Sequence, residues 1–224
     1  MALLGLAALP SRASTITVGT FNTKDQYPFG ITYSGAAEYI GDYQQVYATS
    51  VFSSRVLITQ VAFSSYYSYP GTASYSISMG LGVTTRTPAS PGSSFASSFT
   101  PVFSGAVPAQ FTAASPDFDL PISLTTPFSY DPAQGNLLLD VTVSSVSGSA
   151  SISGFIFWAD GQSSVMGQLW SGDSSVVTTP NQGLVTQFTV TEVPEPNAGA
   201  LYCFAATSIF LMKMLQRRLE NDLQ

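Results

Sequence analysis

The chain has no histidine and a single cysteine, and only 9% of its 224 residues are charged. Without histidine there is no imidazole to act as a general base, to ligate zinc or to activate a serine. The cysteine, Cys203, lies in an apolar stretch near the end of the sequence. The residues before it can therefore form no disulfide and carry no thiol nucleophile. Bases are as scarce: between Ser14 and Val193, Lys24, Arg55 and Arg86 face ten carboxylates, and the net charge is −6. No basic patch exists to neutralise phosphates, which excludes nucleic acid as an expected partner. Ordinary soluble proteins are about 25% charged. Here serine, threonine, glycine and tyrosine take that place, a balance that suits secreted β proteins better than cytosolic enzymes.

What the sequence has in quantity is period-two alternation. "STITVGTF", "RVLITQVAFSSYY", "TASYSISMGLGVTT", "NLLLDVTVSS", "SISGFIFWAD" and "GLVTQFTVTEV" alternate apolar with polar residues and are rich in β-branched and aromatic types. In "SYSISMGL", Tyr75, Ile77, Met79 and Leu81 share one face and Ser74, Ser76 and Ser78 the other. That pattern places one face on a core and one in water. Turn signals separate the runs. "YPGT" at 69–72 puts Pro-Gly at the centre of a type II turn, "YDPAQGN" at 130–136 couples Asp-Pro to Gly135, and "TPASPGSS" at 87–94 reads as a loop. Helical periodicity is missing before residue 193, save for a turn near "DYQQVYATS". About eight or nine strands in some 175 residues, with no internal repeat, predict an all-β fold. We expect an antiparallel β-sandwich of the jelly-roll type rather than an immunoglobulin domain or a propeller.

Both ends read as processing signals. Ala2–Leu9 is an apolar run of signal-peptide length, broken by Pro10. Ser11-Arg12-Ala13 offers small residues around a cut after Ala13, so residues 1–13 are expected to be a signal peptide, shortened at its start, with the ectodomain at 14–192. At the other end, Ala198 to Met212 carries no charge, and the 19 residues to Gln216 would span about 28 Å as a helix at 1.5 Å per residue. That length predicts a single C-terminal transmembrane helix. Lys213 lies near its end, where the ammonium can reach the head groups, and Arg217 and Arg218 would hold that end in the cytoplasm. Pro194 and Pro196 keep Val193–Asn197 extended, the form a protease cleft grips.

Taken in order, "VPEP", an apolar segment and an arginine pair resemble the PEP-CTERM sorting domain. The resemblance implies that an exosortase, a membrane transpeptidase, recognises Val193, Pro194, Glu195 and Pro196. It further implies a segment at 193–218 anchored transiently in the inner membrane of an exopolysaccharide-producing Gram-negative bacterium, with Lys213, Arg217 and Arg218 as retention charges. A cytoplasmic tail, 219–224, follows. "YQQVY" at 43–47, "SYDPAQGNLLLDV" at 129–141 and "GLVTQFTV" at 183–190 are similar to segments recurring in such proteins. They imply a surface domain destined for the cell surface or extracellular matrix, and no reaction.

The chemistry open to the domain is narrow. Carboxylates such as Asp117, Asp119, Asp140, Asp160 and Asp173 could form a glycoside hydrolase pair, and "SPDFDL" or "WADGQ" could hold a structural calcium. Aspartates in turns more often cap the backbone. Aromatics are abundant, with 15 Phe, 11 Tyr and 2 Trp. Trp158, Trp170, Tyr66 and Tyr67, all near turns, are candidates to stack on sugar rings of an extracellular polysaccharide. Aromatics also fill cores, and that is their commoner use. The readings in order are an exported, non-catalytic surface protein, a lectin-like carbohydrate-binding module, and an extracellular glycoside hydrolase.

Overall fold

A computed structural model describes residues 12–31, 38–66, 71–111, 116–148, 156–171 and 175–193. The chain divides into two units, Met1–Glu192 and Val193–Gln224. Beyond Val193 the second unit lies outside the described residues, and with it Pro194, Glu195, Pro196, the apolar segment, Lys213, Arg217 and Arg218. Residues 1–11 and Tyr67 lie outside them too. Among the described residues no helix is long and apolar enough to cross a membrane.

The first unit is all-β and antiparallel. One sheet runs β1 (Ala13–Val18), β15 (Thr186–Glu192), β6 (Val56–Phe63) and β9 (Leu120–Tyr130). The larger sheet runs β13 (Val176–Thr179), β12 (Met166–Ser171), β5 (Asp42–Tyr47), β10 (Asn136–Gly148), β7 (Gly71–Thr84) and β8 (Thr100–Phe111). A three-stranded sheet of β14 (Gly183–Leu184), β11 (Phe157–Asp160) and β2 (Thr23–Asp25), and the pair β3 (Gly30–Ile31) with β4 (Glu38–Tyr39), complete it. Nine of these strands have six or more residues among the described ones, close to the expected number. The remaining six are short pieces that periodicity does not register.

The alternation in β7 is as the sequence predicts: Tyr75, Ile77, Met79 and Leu81 are buried and the intervening serines are not. They join one core with Val56, Ile58, Val61 and Phe63 of β6 and Phe188 and Val190 of β15, giving the sandwich-like arrangement. Tyr47 of the larger sheet meets Phe188 of the smaller edge-on at 5.0 Å, and its hydroxyl donates to Thr186 Oγ1 at 2.8 Å. Phe29 plugs one end of this core against Phe63, Tyr75 and Phe157, at 4.8, 5.8 and 5.2 Å.

Two long strands escape a pattern-based reading. β8 contains Pro101 and Pro108, and β9 contains Pro121 and Pro127. Each is the outermost strand of its sheet, where a missing amide hydrogen breaks no ladder. The turn foreseen near "DYQQVYATS" is a 3-10 turn at Thr49–Val51, directly after β5. At "YDPAQGN", the Asp131 side chain caps Ala133 N–H, and Gly135 has φ 136°.

The loop expected at 87–94 is part of a longer strap, residues 85–99, laid across the outer face of the larger sheet. Register aligns Gly167, Val46, Leu138 and Gly82 in one row, and Leu169, Gln44, Asp140 and Gly80 in the next. The glycines let the strap close down: a Cβ on Gly167 would strike the Pro88 carbonyl, and one on Gly80 would strike the Phe99 ring. Val46, Leu138 and Leu169 are fully buried beneath it. The three consecutive leucines of β10, Leu137–Leu139, report this two-sided burial, since an alternating strand has one apolar face and this one has two.

Candidate functional site

The smaller sheet has two distinct ends. Ala13, Thr191, Leu57 and Ser129 form the row at one, and Val18, Thr186, Phe63 and Leu120 the row at the other. The chain enters at Ala13 and leaves past Glu192 at the first end. The second end carries a run of aromatics outside the core. In β11, Phe157 and Ala159 point inward, so Trp158 points outward. Its N–H donates to the Ser64 carbonyl at 2.9 Å and its own carbonyl accepts from Val185 N–H at 3.0 Å, fixing the backbone. The Trp158 ring meets Tyr66 at 4.6 Å and Phe21 at 5.9 Å, both edge-on, and Phe21 meets Phe118 at 6.0 Å. Lys24 Nζ, on the neighbouring strand β2, stands 5.0 Å from the Tyr66 ring centroid. The four rings are half-buried, and Lys24 is exposed.

Trp158 and Tyr66, two of the four sequence candidates for sugar stacking, are thus brought together. Trp170 is not with them. It sits on β12, stacked on Tyr27 at 4.0 Å and 14°, and packs against the core. Phe21, Phe118 and Lys24 were not anticipated. Phe118 lies inside "SPDFDL", where the two aspartates draw attention first, and Phe21 closes the "STITVGTF" run.

The segments "YQQVY" at 43–47 and "GLVTQFTV" at 183–190 have structural work in this chain. Tyr43 donates to Gln45 Oε1 and lies 2.8 Å from Gln168 Oε1. Gln45 binds both backbone groups of Leu184, accepting its N–H at 2.9 Å and donating to its carbonyl at 3.0 Å. Gly183 permits that approach, because a Cβ there would lie 2.7 Å from Gln45 Cδ. Gln168 Nε2 extends the chain of bonds to Asp25 Oδ2 at 2.6 Å. On the opposite face Gln44 holds the strap, donating to the Ala96 carbonyl at 2.7 Å and accepting Ala96 N–H at 2.8 Å. Burial, with the neighbouring Tyr47 and Asp25, pushes the Tyr43 hydroxyl well above its ordinary pKa, so Tyr43 stays protonated and remains a donor.

The carboxylates are likewise occupied. Asp160 accepts from Thr20 N–H, Asn22 Nδ2 and Gln162 N–H at 3.1, 2.8 and 3.1 Å. A calcium ion at "WADGQ" would have to displace those donors, so the residues there do not fit one. Asp119 turns back to accept Ser65 N–H at 2.9 Å and the Ser65 hydroxyl, while Asp117 is exposed. Burial raises the pKa of Asp119 against those hydrogen bonds. Among the described residues no three metal-ligating side chains converge. Two surface depressions, about 450 Å³ beside Gly161, Gln162, Ser163, Ser164 and Asn181 and about 390 Å³ beside Thr72, Ala73, Ser74, Ser147 and Gly148, have no carboxylate or aromatic ring among these wall residues. Asp173 lies outside the described residues.

Fold and site together define an antiparallel, sandwich-like all-β unit with an aromatic end remote from its two chain exits. No known protein-family model matches the chain, and no curated protein matches it in sequence.

Proposed function

We propose that this is an exported, non-catalytic protein of the bacterial surface or extracellular matrix, with a jelly-roll-like ectodomain delivered by a C-terminal sorting tail. Residues 1–13 direct export. An exosortase-type transpeptidase takes Val193, Pro194, Glu195 and Pro196 as its recognition motif. Ala198–Gln216 crosses the inner membrane as a helix until it is cut, and Lys213, Arg217 and Arg218 keep its end in the cytoplasm. The observation that supports the reading is where the sheet ends. β15 stays paired through Glu192, opposite Val56, and the compact unit closes at that residue. The motif begins at the very next position, so a cut within it leaves the paired strands of the domain intact. Intact mass of the protein from its native host tests this. The mature form lacks everything past the motif region, and a strain without the transpeptidase accumulates the longer form. Equal masses from the two strains would remove the proposal.

A second reading, a carbohydrate-binding module sharing this delivery, is favoured by the outward aromatics around Trp158.

A further inference from the structure

We infer that the end of the domain opposite the chain exits, built from Phe21, Lys24, Tyr66, Phe118 and Trp158, is a binding face for a neutral polysaccharide. This deepens the carbohydrate-binding reading and rests on it, adding the face, the residues and the class of sugar.

The placement comes from register. β1 runs from Ala13 at the exit end to Val18, and Phe21 follows three residues later. β6 runs from Val56 at the exit end to Phe63 and leads to Tyr66, and Phe118 precedes β9 by two residues. Six residues of extended strand separate the two ends, about 17 Å. The chain enters and leaves this unit at the other end of the sheet.

The chemistry comes from the side chains. The rings form an unbroken sequence, Phe118 to Phe21 to Trp158 to Tyr66, with centroid steps of 6.0, 5.9 and 4.6 Å. None of the four belongs to the core cluster, so packing of the core does not explain them. Hexopyranose rings present flat C–H faces that aromatic rings cover, while their hydroxyls need donors and acceptors at the rim. Lys24 supplies donors, and it makes no ion pair among the described residues. Arg55 is bound to Asp131, and Arg86 to the Pro91 carbonyl and Gln44, so Lys24 is the base left at this end. Asp117 and Asp119 flank Phe118, and Asp25 and Asp160 lie on the adjoining strands β2 and β11, so acids outnumber Lys24 at this end of a protein of net charge −6. A polyanion would be repelled. A neutral glycan is not, and it can use both signs as hydrogen-bond partners.

The test is affinity electrophoresis of the full chain, in mild detergent, through native gels containing hydroxyethylcellulose, galactomannan, dextran or alginate. Retardation is expected in at least one neutral gel and not in alginate. Trp158→Ala and Tyr66→Ala are each expected to weaken it at least tenfold, and Lys24→Ala several-fold, while Trp170→Ala stays within twofold of the parent. Thermal melts of each variant show which remain folded. Lys24, being exposed, supplies a variant whose fold is not in question. Retardation lost with Trp170→Ala but untouched by Trp158→Ala and Lys24→Ala would overturn this face and leave the carbohydrate reading standing. Stronger retardation in alginate would overturn the neutral class. No retardation in any gel would remove both.

Discussion

Ala13 lies directly opposite Thr191 in the ladder between β1 and β15. The first strand of the domain is thereby tied to the last, and the two chain exits emerge side by side. β1 is the edge strand of the smaller sheet, and β15 lies between it and β6.

That register predicts a cross-link. Thr15→Cys with Thr189→Cys, in a Cys203→Ser background, should oxidise spontaneously, since facing Cα atoms of an antiparallel pair lie about 4.5–5.5 Å apart, within the Cα span of a disulfide. The bond closes nearly the whole domain into a loop, for which chain entropy gives at most about 5 kcal/mol. A mass loss of two hydrogens and a higher melting temperature are expected. Thr15→Cys with Gln187→Cys, a diagonal pair, should remain reduced. Closure of the diagonal pair in preference to the direct one would show the register to be wrong.

Gln44 and Gln45 are adjacent, both fully buried, and serve opposite faces of the same strand. Gln45→Ala removes two bonds to the Leu184 backbone, leaving its N–H to the Tyr43 hydroxyl and its carbonyl to Thr186 Oγ1, and opens a cavity under Gly183. Two lost hydrogen bonds and the cavity together predict a loss of about 2–4 kcal/mol from denaturant midpoints. Gln44→Ala releases the strap at Ala96, takes the amide donor from Asp140 and leaves the inner core intact. It should make residues 85–99 the first site of proteolytic nicking. Strap cleavage absent in Gln44→Ala, or equally fast in Gln45→Ala, would contradict the division of labour.

Legibility in the sequence followed the physics of each element. β7 could be read because one face is wet, so alternation survives. "YDPAQGN" could be read because its turn uses local hydrogen bonds. β8 and β9 could not, since edge position excuses prolines only once the sheet order is known. The strap was invisible as a packed element because its partners are glycines, which leave no mark in a hydrophobic pattern, although the triple leucine of β10 carried the signal. At the candidate site Trp158 and Tyr66 stood out by type. Their grouping with Phe21 and Phe118 depended on strands from four separate parts of the chain converging at one end.

Gly167 is the narrowest point of the strap contact, with the Pro88 carbonyl over its Cα. Gly167→Ala places a methyl against a backbone atom, which cannot rotate aside as a side chain would. The strap must lift, exposing Val46, Leu138 and Leu169. A loss of about 1–3 kcal/mol, as for other overpacked sites, is expected in thermal or urea unfolding. Hydrogen exchange should accelerate across residues 85–99 while Leu139 and Val141, on the inner face, stay protected. Uniform acceleration over the whole domain would mean that the strap is not a separable layer.

Asp140 gives the domain an unusual response to acid. Its carboxylate faces the strap and accepts Gln44 Nε2 at 2.7 Å. Burial raises its pKa, Gln44 opposes the rise, and the charge of Asp42 adds to it. The unfolded chain titrates an aspartate near about 3.9. Between that value and the raised folded value the folded state holds the extra proton, so stability increases as pH falls through this window. Asp119, raised by burial, acts in the same direction. Asp131 acts in the other. Hydrogen bonds from Arg55 and from Ala133 N–H lower its pKa, so its contribution is present above the unfolded value and is lost as pH drops through the lowered one. Melting temperature should therefore climb as the solution is acidified from neutral, pass a maximum near or just above the unfolded aspartate value, and then fall. Asp140→Asn keeps an acceptor for Gln44 and removes the buried charge. It should melt higher than the parent at pH 7 and show a shallower climb, and the two curves should meet once Asp140 is protonated. A variant that melts lower at neutral pH would mean that the charged carboxylate stabilises the strap, reversing the sign argued from its burial.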